Sequence, residues 1–495
     1  DPNFRGGLPE KREYAVSLVF KTMQEAADAA MGGDLIVVMP GTYAGFEMGD
    51  KRDARDGRYI HFRTLGELGE VVIDRPAEGK DENSMIYLRG AHHVIVEGFN
   101  IAGATGPGLQ PKGPRSGIII DGDFGNTGKM AHHIVIISNF SHNHCTWGFY
   151  AADSHTVLLQ NNIIGLSCQE HSAYVSDGSD NYCIRGNVFF ESASSGLQCN
   201  LDPEASIGEL LKHPDLRDYP RGAPSSEWAH ALLKLAAAKF GENNFPDGRG
   251  LRFLIDNNVI YGNGKEGGAA LNFAGLQESV IQNNLIYGNF AAGIAMWDNG
   301  NAYDEGFIQP GPKSAKDVTG PEVLPFWGCQ RNVIRNNTVI MDNPGRVALL
   351  LNNGSWGNVV RNNILINDSS YSIEVTATSA YKHDSGFNVL NTVSIPAAFM
   401  RLTTRIDENN RSVMDVKKDV IARDFLKIGE EPWIIIAGLW WAANPDRPDF
   451  RPFTTSKLLH GKGDPQETPE YDLGVIPRVA ADIGACASIP PKETP

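Results

Sequence analysis

Long apolar runs, paired cysteines and an excess of positive charge are all missing from this 495-residue sequence. No apolar stretch approaches the roughly 20 residues of a membrane-spanning helix, which excludes a helical bilayer span. Six cysteines occur without CxxC spacing, so they outline neither a zinc site nor, over this length, a disulfide framework. The redox compartment stays open. Only 44 basic residues stand against 59 acidic ones, a formal charge of −15, which argues against nucleic acid or an anionic membrane as the main partner. The chain opens on DPNFRGG, with neither an initiator Met nor a signal-like apolar segment, and reads as a mature or trimmed chain.

What is present is a repeat. HTVLLQNNIIG, NYCIRGNVFF, LRFLIDNNVIYGN, ESVIQNNLIYGN, RNVIRNNTVIMDN and GNVVRNNILIND align on Asn162, Asn187, Asn258, Asn284, Asn337 and Asn363, at gaps of 25, 71, 26, 53 and 26 residues. Gaps of 25 to 26 are one repeat; the longer two are a repeat plus an insertion. The frame extends back to Asn139 and to Phe99. About ten residues after each Asn lies a second short run of alternating apolar residues: GIIID, GFYAAD, SAYVSD, GLQCNL, AALNF, GIAMWD, VALLLN and SIEVTA. Two to three short strands per repeat cannot bury a face alone and must stack on their neighbours. The predicted fold is therefore all-β, a parallel β-helix. Asn recurring at one bend reads as a structural ladder, since its amide bonds backbone at a tight turn and it tolerates left-handed dihedrals.

The ends agree. VFKTMQEAADAAMGGDLIVVMPGTY reads as an amphipathic helix, a Gly-Gly stop and a first strand, so residues 1–45 form an N-terminal cap. The helix body spans 46–400, with insertions at 202–250 and 299–328. SSEWAHALLKLAAAKF in the first insertion predicts an N-capped helix. Both insertions leave just after an aligned strand and are expected to wall the same face. Residues 401–495 read as a C-terminal cap and strap.

GDLIVVMPGTY, the NN rungs and the closing ADIGAC resemble the right-handed parallel β-helix proteins of the pectate-lyase-like superfamily, over roughly residues 15 to 400. That resemblance is specific for fold. For activity it implies a group that includes polysaccharide lyases, glycoside hydrolases, uronan epimerases and non-catalytic binding proteins.

With Phe149, Ala173, Leu197, Ala269 and Ile294 taken as inward, one outward column reads Ile119, Tyr150, Tyr174, Gln198, Ala270 and Ala295. The next reads Asp121, Ala152, Ser176, Asn200, Asn272 and Trp297. Stacked about 4.8 Å apart, these columns form a polar and aromatic strip. Preceding bends add Trp147, Glu170, His171, Lys265 and Glu266; following turns add Asp153, Asp177, Asp180 and Asp298. Asp177 and Asp180 also suit an ordinary turn, and Tyr150 beside Tyr174 also suits simple stacking. His171 is the residue hardest to explain by the scaffold. His142 and His144 form an HxH, for which the sequence offers no third ligand. Cys145 and Cys168 precede equivalent strands and are placed where a bridge is geometrically feasible; packing as small hydrophobes is the alternative.

Aromatic faces for sugar rings and amides for hydroxyls point to an extended glycan, with an enzyme outside the cytoplasm, secreted, periplasmic or at the cell surface, acting as a monomer. Elimination on a uronate would use His171 as base, Tyr174 or Tyr150 as acid, and Gln198 or Asn200 as carboxylate partner. This resembles the His/Tyr polysaccharide lyases, which also place Arg near the carboxylate; no Arg is evident in this strip. Hydrolysis would instead use two carboxylates about 5 to 9.5 Å apart, drawn from Glu170, Asp177, Asp153 and Glu266. Asn272, Trp297, Trp147, Lys265 and Asp298 complete the candidate substrate contacts. Either no cofactor is expected, or calcium at Asp121 and Asp153, with Asp177 nearby, bridging an acidic substrate. A non-catalytic glycan-binding protein is the third reading.

Overall fold

The computed structural model describes residues 18–390 apart from 52–56, 104–115, 304–325 and a few shorter gaps. Beyond residue 390 it describes a few short strands and chiefly 461–473 and the neighbourhood of 478–485. Three parallel sheets of 12, 12 and 11 strands run between Leu35 and Ser412, and each coil gives one strand to each sheet. One coil shows the pattern. Ser154–Gln160 lies in the first sheet, Ile163–Gly165 in the second and Ala173–Ser176 in the third; Asp180–Arg185, Val188–Phe190 and Leu197–Asn200 then stack on them in register. Each coil buries its alternate side chains in the axis: Phe149, Ala173, Leu197, Leu271 and Ile294 are fully buried and pair in succession.

The asparagine ladder is the hydrogen-bonded spine of the bend between the first and second sheets. The backbone N–H of Asn139 donates to Asn162 Oδ1 at 3.0 Å, and the same bond repeats from Asn162 to Asn187, Asn258, Asn284, Asn337, Asn363 and Asn388. Each amide nitrogen also donates to the next Oδ1, so the buried amides satisfy one another. The two asparagines of an NN pair divide the work. The first, at Asn161, Asn257, Asn283, Asn336 and Asn362, takes the left-handed dihedral with φ of 52–58°. The second forms the ladder.

The cap helix α1, Met23–Ala29, has a capping box between Thr22 and Glu25 and buries Met23, Ala26 and Ala27 against the first coil. Gln24 exchanges two hydrogen bonds with the backbone of Glu47, clamping the helix over the open end. The four-residue turn α2, Phe124–Thr127, follows the third-sheet strand Ser116–Asp121. The first insertion holds two helices. The expected one is α4, Ser226–Phe240, whose N-cap Ser225 accepts from the Trp228 N–H. The other, α3, Pro203–Lys212, is capped by Asp202 with Pro at its first turn; the LDPE sequence carried that signal unread. The helices share a small core with Trp327 of the second insertion, whose indole N–H donates to the Asp247 carbonyl.

Parallel pairing continues past residue 400, through Arg405–Glu408 and Arg411–Ser412. The described part of the strap runs back along the second sheet. Asn283 donates to the Tyr471 carbonyl, Asn336 to that of Asp482, and Leu473 and Ala485 are buried there. Asp482, Gly484 and Ala485 of the ADIGAC segment thus lie laterally against the coils; EEPWIIIAGLWW lies outside the described residues. Cys145 and Cys168 are free thiols, not a bridge. Cys168 Sγ donates to the Cys145 carbonyl and Cys145 Sγ to Gln169 Oε1, so the two sulfurs point at different partners.

Candidate active site

Registration of the third sheet corrects the strip. Column one is Tyr87, Ile119, Tyr150, Tyr174, Gln198, Asn272 and Ala295. Column two is Arg89, Asp121, Ala152, Ser176, Asn200, Ala274 and Trp297. Asn272 moves to the first column, Ala270 is in the core, and Leu271 takes the inward place assigned to Ala269. The error is a two-residue slip: the strand Ala269–Ala274 starts early after a bend in which Gly264, Gly267 and Gly268 all take positive φ. The strip also begins one rung earlier than the sequence reading, and that rung brings in Tyr87 and Arg89. This arginine lies three rungs from Tyr174, so it is not placed at the His171 and Tyr174 centre. It stands beside Asp121, which accepts a 3.0 Å hydrogen bond from the Tyr87 hydroxyl.

The centre of the strip is a connected set. Trp297 Nε1–H donates to Asn272 Oδ1 at 2.9 Å; because an indole only donates, this fixes the amide orientation, and Asn272 Nδ2 donates on to Gln198 Oε1 at 2.6 Å. Ser195, on the bend before, donates its hydroxyl to the same Gln198 oxygen and its backbone N–H to His171 Nδ1 at 3.0 Å. His171 packs edge-on against Tyr174, with ring centroids 5.2 Å apart. The Tyr174 hydroxyl accepts from Asn200 Nδ2 at 3.3 Å. Tyr174 in turn meets Tyr150 edge-on, and Trp147 stacks on Tyr150 at 4.6 Å. Trp147 Nε1–H donates to Glu170 Oε2 at 2.9 Å, and that oxygen lies 3.8 Å from His171 Nε2.

The bond from Ser195 decides which proton His171 carries. A backbone N–H only donates, so Nδ1 is the acceptor and the neutral ring holds its hydrogen on Nε2. Burial drives the imidazolium pKa down to about 4, so the ring is neutral at neutral pH. His171 therefore offers the strip a fixed N–H donor, and its only lone pair is already engaged.

The carboxylates lie at the edge of the strip. Burial raises Asp121 to about 6 and Asp177 to about 7, and Glu209 of α3 adds repulsion to both. Asp153 is pushed well above the usual carboxylate range by burial and by Asp177, and its Oδ1 has no hydrogen-bond partner. Burial followed by the same carboxylates pushes the Tyr150 hydroxyl up. Glu209 and Ser195 had no sequence signal, because the insertion and the bend that carry them align with nothing. Among the described residues no group of three or more His, Cys, Asp or Glu is arranged to hold a metal ion.

Five candidates fall outside this set. Lys265 lies over the Phe290 ring, 5.2 Å from its centroid. Asp298 is buried at a turn, accepting from the Gly300 N–H. His142 bonds Asn100 Oδ1, while His144 is fully buried against Ser141 Oγ, so the HxH is no metal pair. Asp180 is not a turn residue; it opens a first-sheet strand and accepts the Leu251 N–H at 2.7 Å. Burial, with Asp247 next, raises its pKa. A carboxyl with a raised folded-state pKa contributes stability below about pH 4 that is lost as pH rises through the folded value. Asp180→Asn keeps the acceptor, so the variant should match the wild type at pH 4 and exceed it in thermal midpoint at pH 8. Equal midpoints at both pH values would show that Asp180 is ionised at no cost.

The wall beside the strip is built by both insertions, which touch where Ala302 N–H donates to Glu204 of α3 and where Tyr303 stacks near Trp228. This geometry can be set beside known proteins. Residues 249–387 match the family model for a right-handed β-helix region. The chain is a right-handed parallel β-helix. A pectate lyase, Pel9A, superposes with a TM-score of 0.50 at 13% identity over 94% of this β-helix and 90% of its own chain. An alginate lyase from Paenibacillus sp. str. FPU-7 gives 0.41 at 12% identity over 75% and 96% of the two chains. The A-module of a mannuronan C-5 epimerase from Azotobacter vinelandii gives 0.39 at 16% identity over 78% and 92%. No curated protein matches the sequence. Among the described residues of the β-helix no helix is long and apolar enough to cross a membrane.

Proposed function

We propose that this β-helix is a carbohydrate-active enzyme of the cell exterior that cleaves a uronate-containing glycan by β-elimination in the strip between Arg89 and Trp297. The observation that carries the reading is the pairing of His171 and Tyr174: a fixed imidazole N–H donor in edge contact with a phenol on the adjoining strand. Fold likeness to Pel9A, a pectate lyase, agrees with it.

In elimination the C5 proton leaves as the carboxylate gathers enolate charge, and the glycosidic oxygen departs from C4. His171 Nε2–H and the Gln198 amide donate to the uronate carboxylate and stabilise that charge, a job that suits preorganised donors. The base at C5 is then the Tyr174 phenolate rather than the imidazole: it is stabilised by the Asn200 Nδ2–H but opposed by burial, so it forms only as pH rises, and Tyr150, which burial keeps protonated, gives its proton to the departing oxygen. Trp147, held by Glu170, and Trp297, held by Asn272, supply faces for neighbouring sugar rings. Arg89 takes a carboxylate further along the chain. This assignment moves His171 from base to electrophile.

A second reading is favoured by one feature: Asp177, raised to about 7, suits a general acid for glycoside hydrolysis, with Glu170 as its partner carboxylate. Incubation with a panel of polyuronates and neutral glycans separates the two. Elimination yields new ultraviolet absorbance from unsaturated uronates together with new reducing ends. Reducing ends without absorbance mean hydrolysis, and no product from the panel leaves a binding protein.

A further inference from the structure

Away from the strip, the starts of three successive first-sheet strands carry five histidines that the function above does not use. His92, His132 and His155 occupy equivalent places on successive first-sheet strands. Their rings stack nearly parallel, with centroids 5.0 and 5.1 Å apart. They line an open cavity of about 370 Å³, together with Lys129 and with Asn244 from the first insertion.

The Nδ1 atoms are occupied at these strand starts: His92 with His93 at 3.0 Å, His132 with His133 at 2.9 Å, and His155 with Thr156 Oγ1 at 3.0 Å. The exocyclic side of each ring is left for Nε2. In the first ring that nitrogen donates to Asp50 at 2.9 Å, and Lys129 pairs with the other oxygen of the same carboxylate. Asp50 thus displays, inside the protein, how a carboxylate sits on this row. Among the described residues neither of the next two rings has a carboxylate bonded at Nε2, although Asp180 stands in register one rung beyond His155. Imidazoles one rung apart that carry their hydrogen on Nε2, with an ammonium at the rim, match an acidic ligand.

We infer that the His132 and His155 rungs, with Lys129 at the rim, form a second binding site that takes a carboxylate-bearing sugar, separate from the catalytic strip. The cavity has the size of small-ligand pockets, which start near roughly 300 Å³. The ligand carboxylate takes the Nε2–H of His132, as Asp50 takes that of His92, and Asn244 is placed to bond ring hydroxyls. The charged and titratable groups that face His132 are His92, His93, His133 and His155 from the first sheet, Asp50 from the end of the third-sheet strand before it, and Lys129 from the loop after α2. Tyr59 meets His93 from below, and Asp180 continues the column beyond His155. Burial and the neighbouring imidazoles hold His132 down to about 3. A bound carboxylate raises it.

The test is an NMR titration of the full chain, labelled at the histidine rings, with galacturonate as probe and glucose as the neutral control. Saturating galacturonate should raise the His132 ring pKa by at least one unit and move the His155 ring signals, while glucose leaves both in place. The His132→Gln variant should lose at least tenfold in galacturonate affinity at this site, and strip-dependent turnover should stay at the wild-type rate. An unmoved His132 ring at saturating galacturonate, or an equal response to glucose, overturns the inference even if the variant fails to fold. Loss of turnover on the polysaccharide panel would bear on the strip alone, since the ring titration does not depend on catalysis.

Discussion

His171→Gln should keep turnover within about tenfold of the wild type, whereas His171→Ala should lose roughly 10²- to 10⁴-fold, the usual range for a positioned proton-handling or charge-stabilising group. The two variants differ in what the strip retains. A glutamine oxygen can accept the Ser195 N–H and its amide can donate into the strip, so it copies the polarity that the 3.0 Å bond imposes on the imidazole. An amide cannot take a proton, so if His171 were the base at C5 the two variants would be equally inactive. Measured kcat and KM on the best substrate of the panel decide it. The alanine variant also leaves the Ser195 N–H buried and unpaired, at about 1–3 kcal/mol of stability, so both variants need their unfolding midpoints recorded. Between pH 5 and 8 the wild-type profile should show no ionisation of His171, since its pKa lies near 4.

The second large effect is structural. Asn284→Ala should lower stability by about 3–6 kcal/mol, because it strands several buried partners at once. The N–H and amide of Asn258, the Ile255 carbonyl and Asn337 Oδ1 all lose a bond to that one side chain. Asn161→Gly, at the first position of an NN pair, should stay within about 1 kcal/mol, since φ of 54° costs glycine nothing. Chemical denaturation of both variants against the wild type reads the difference. Similar losses would mean that the two asparagines share one role.

The fold was legible in the sequence because the repeat writes the same physical need at each coil. Asn258, Asn284 and Asn337 recur because a buried bend must satisfy its amides, and that demand does not vary with the ligand. The N-terminal cap was legible for a similar reason: Thr22 and Glu25 stand at the spacing a helix start requires. The site was only partly legible. His171, Glu170, Tyr174 and Tyr150 do converge, since they follow from the bend and strand positions of two adjacent coils. Asn272 was misplaced because glycine-rich bends vary in length, and alignment on the asparagines does not carry register across them. Arg89 was missed by stopping one rung short. Ser195 was missed because a backbone N–H has no sequence signature, yet that group sets the tautomer of His171 and with it the division of labour in the mechanism. Glu209 reaches the carboxylate edge from an inserted helix, whose placement no repeat could indicate.

The His171 tautomer can be measured directly. A nitrogen-15 spectrum of the His171 ring at pH 7, with and without an oligouronide that the panel shows to be a substrate, reports both ring nitrogens separately. The account predicts an unprotonated Nδ1, a protonated Nε2, and a shift of the Nε2 proton when the oligouronide binds. A proton on Nδ1, or a ring that does not respond to the oligouronide, would contradict it.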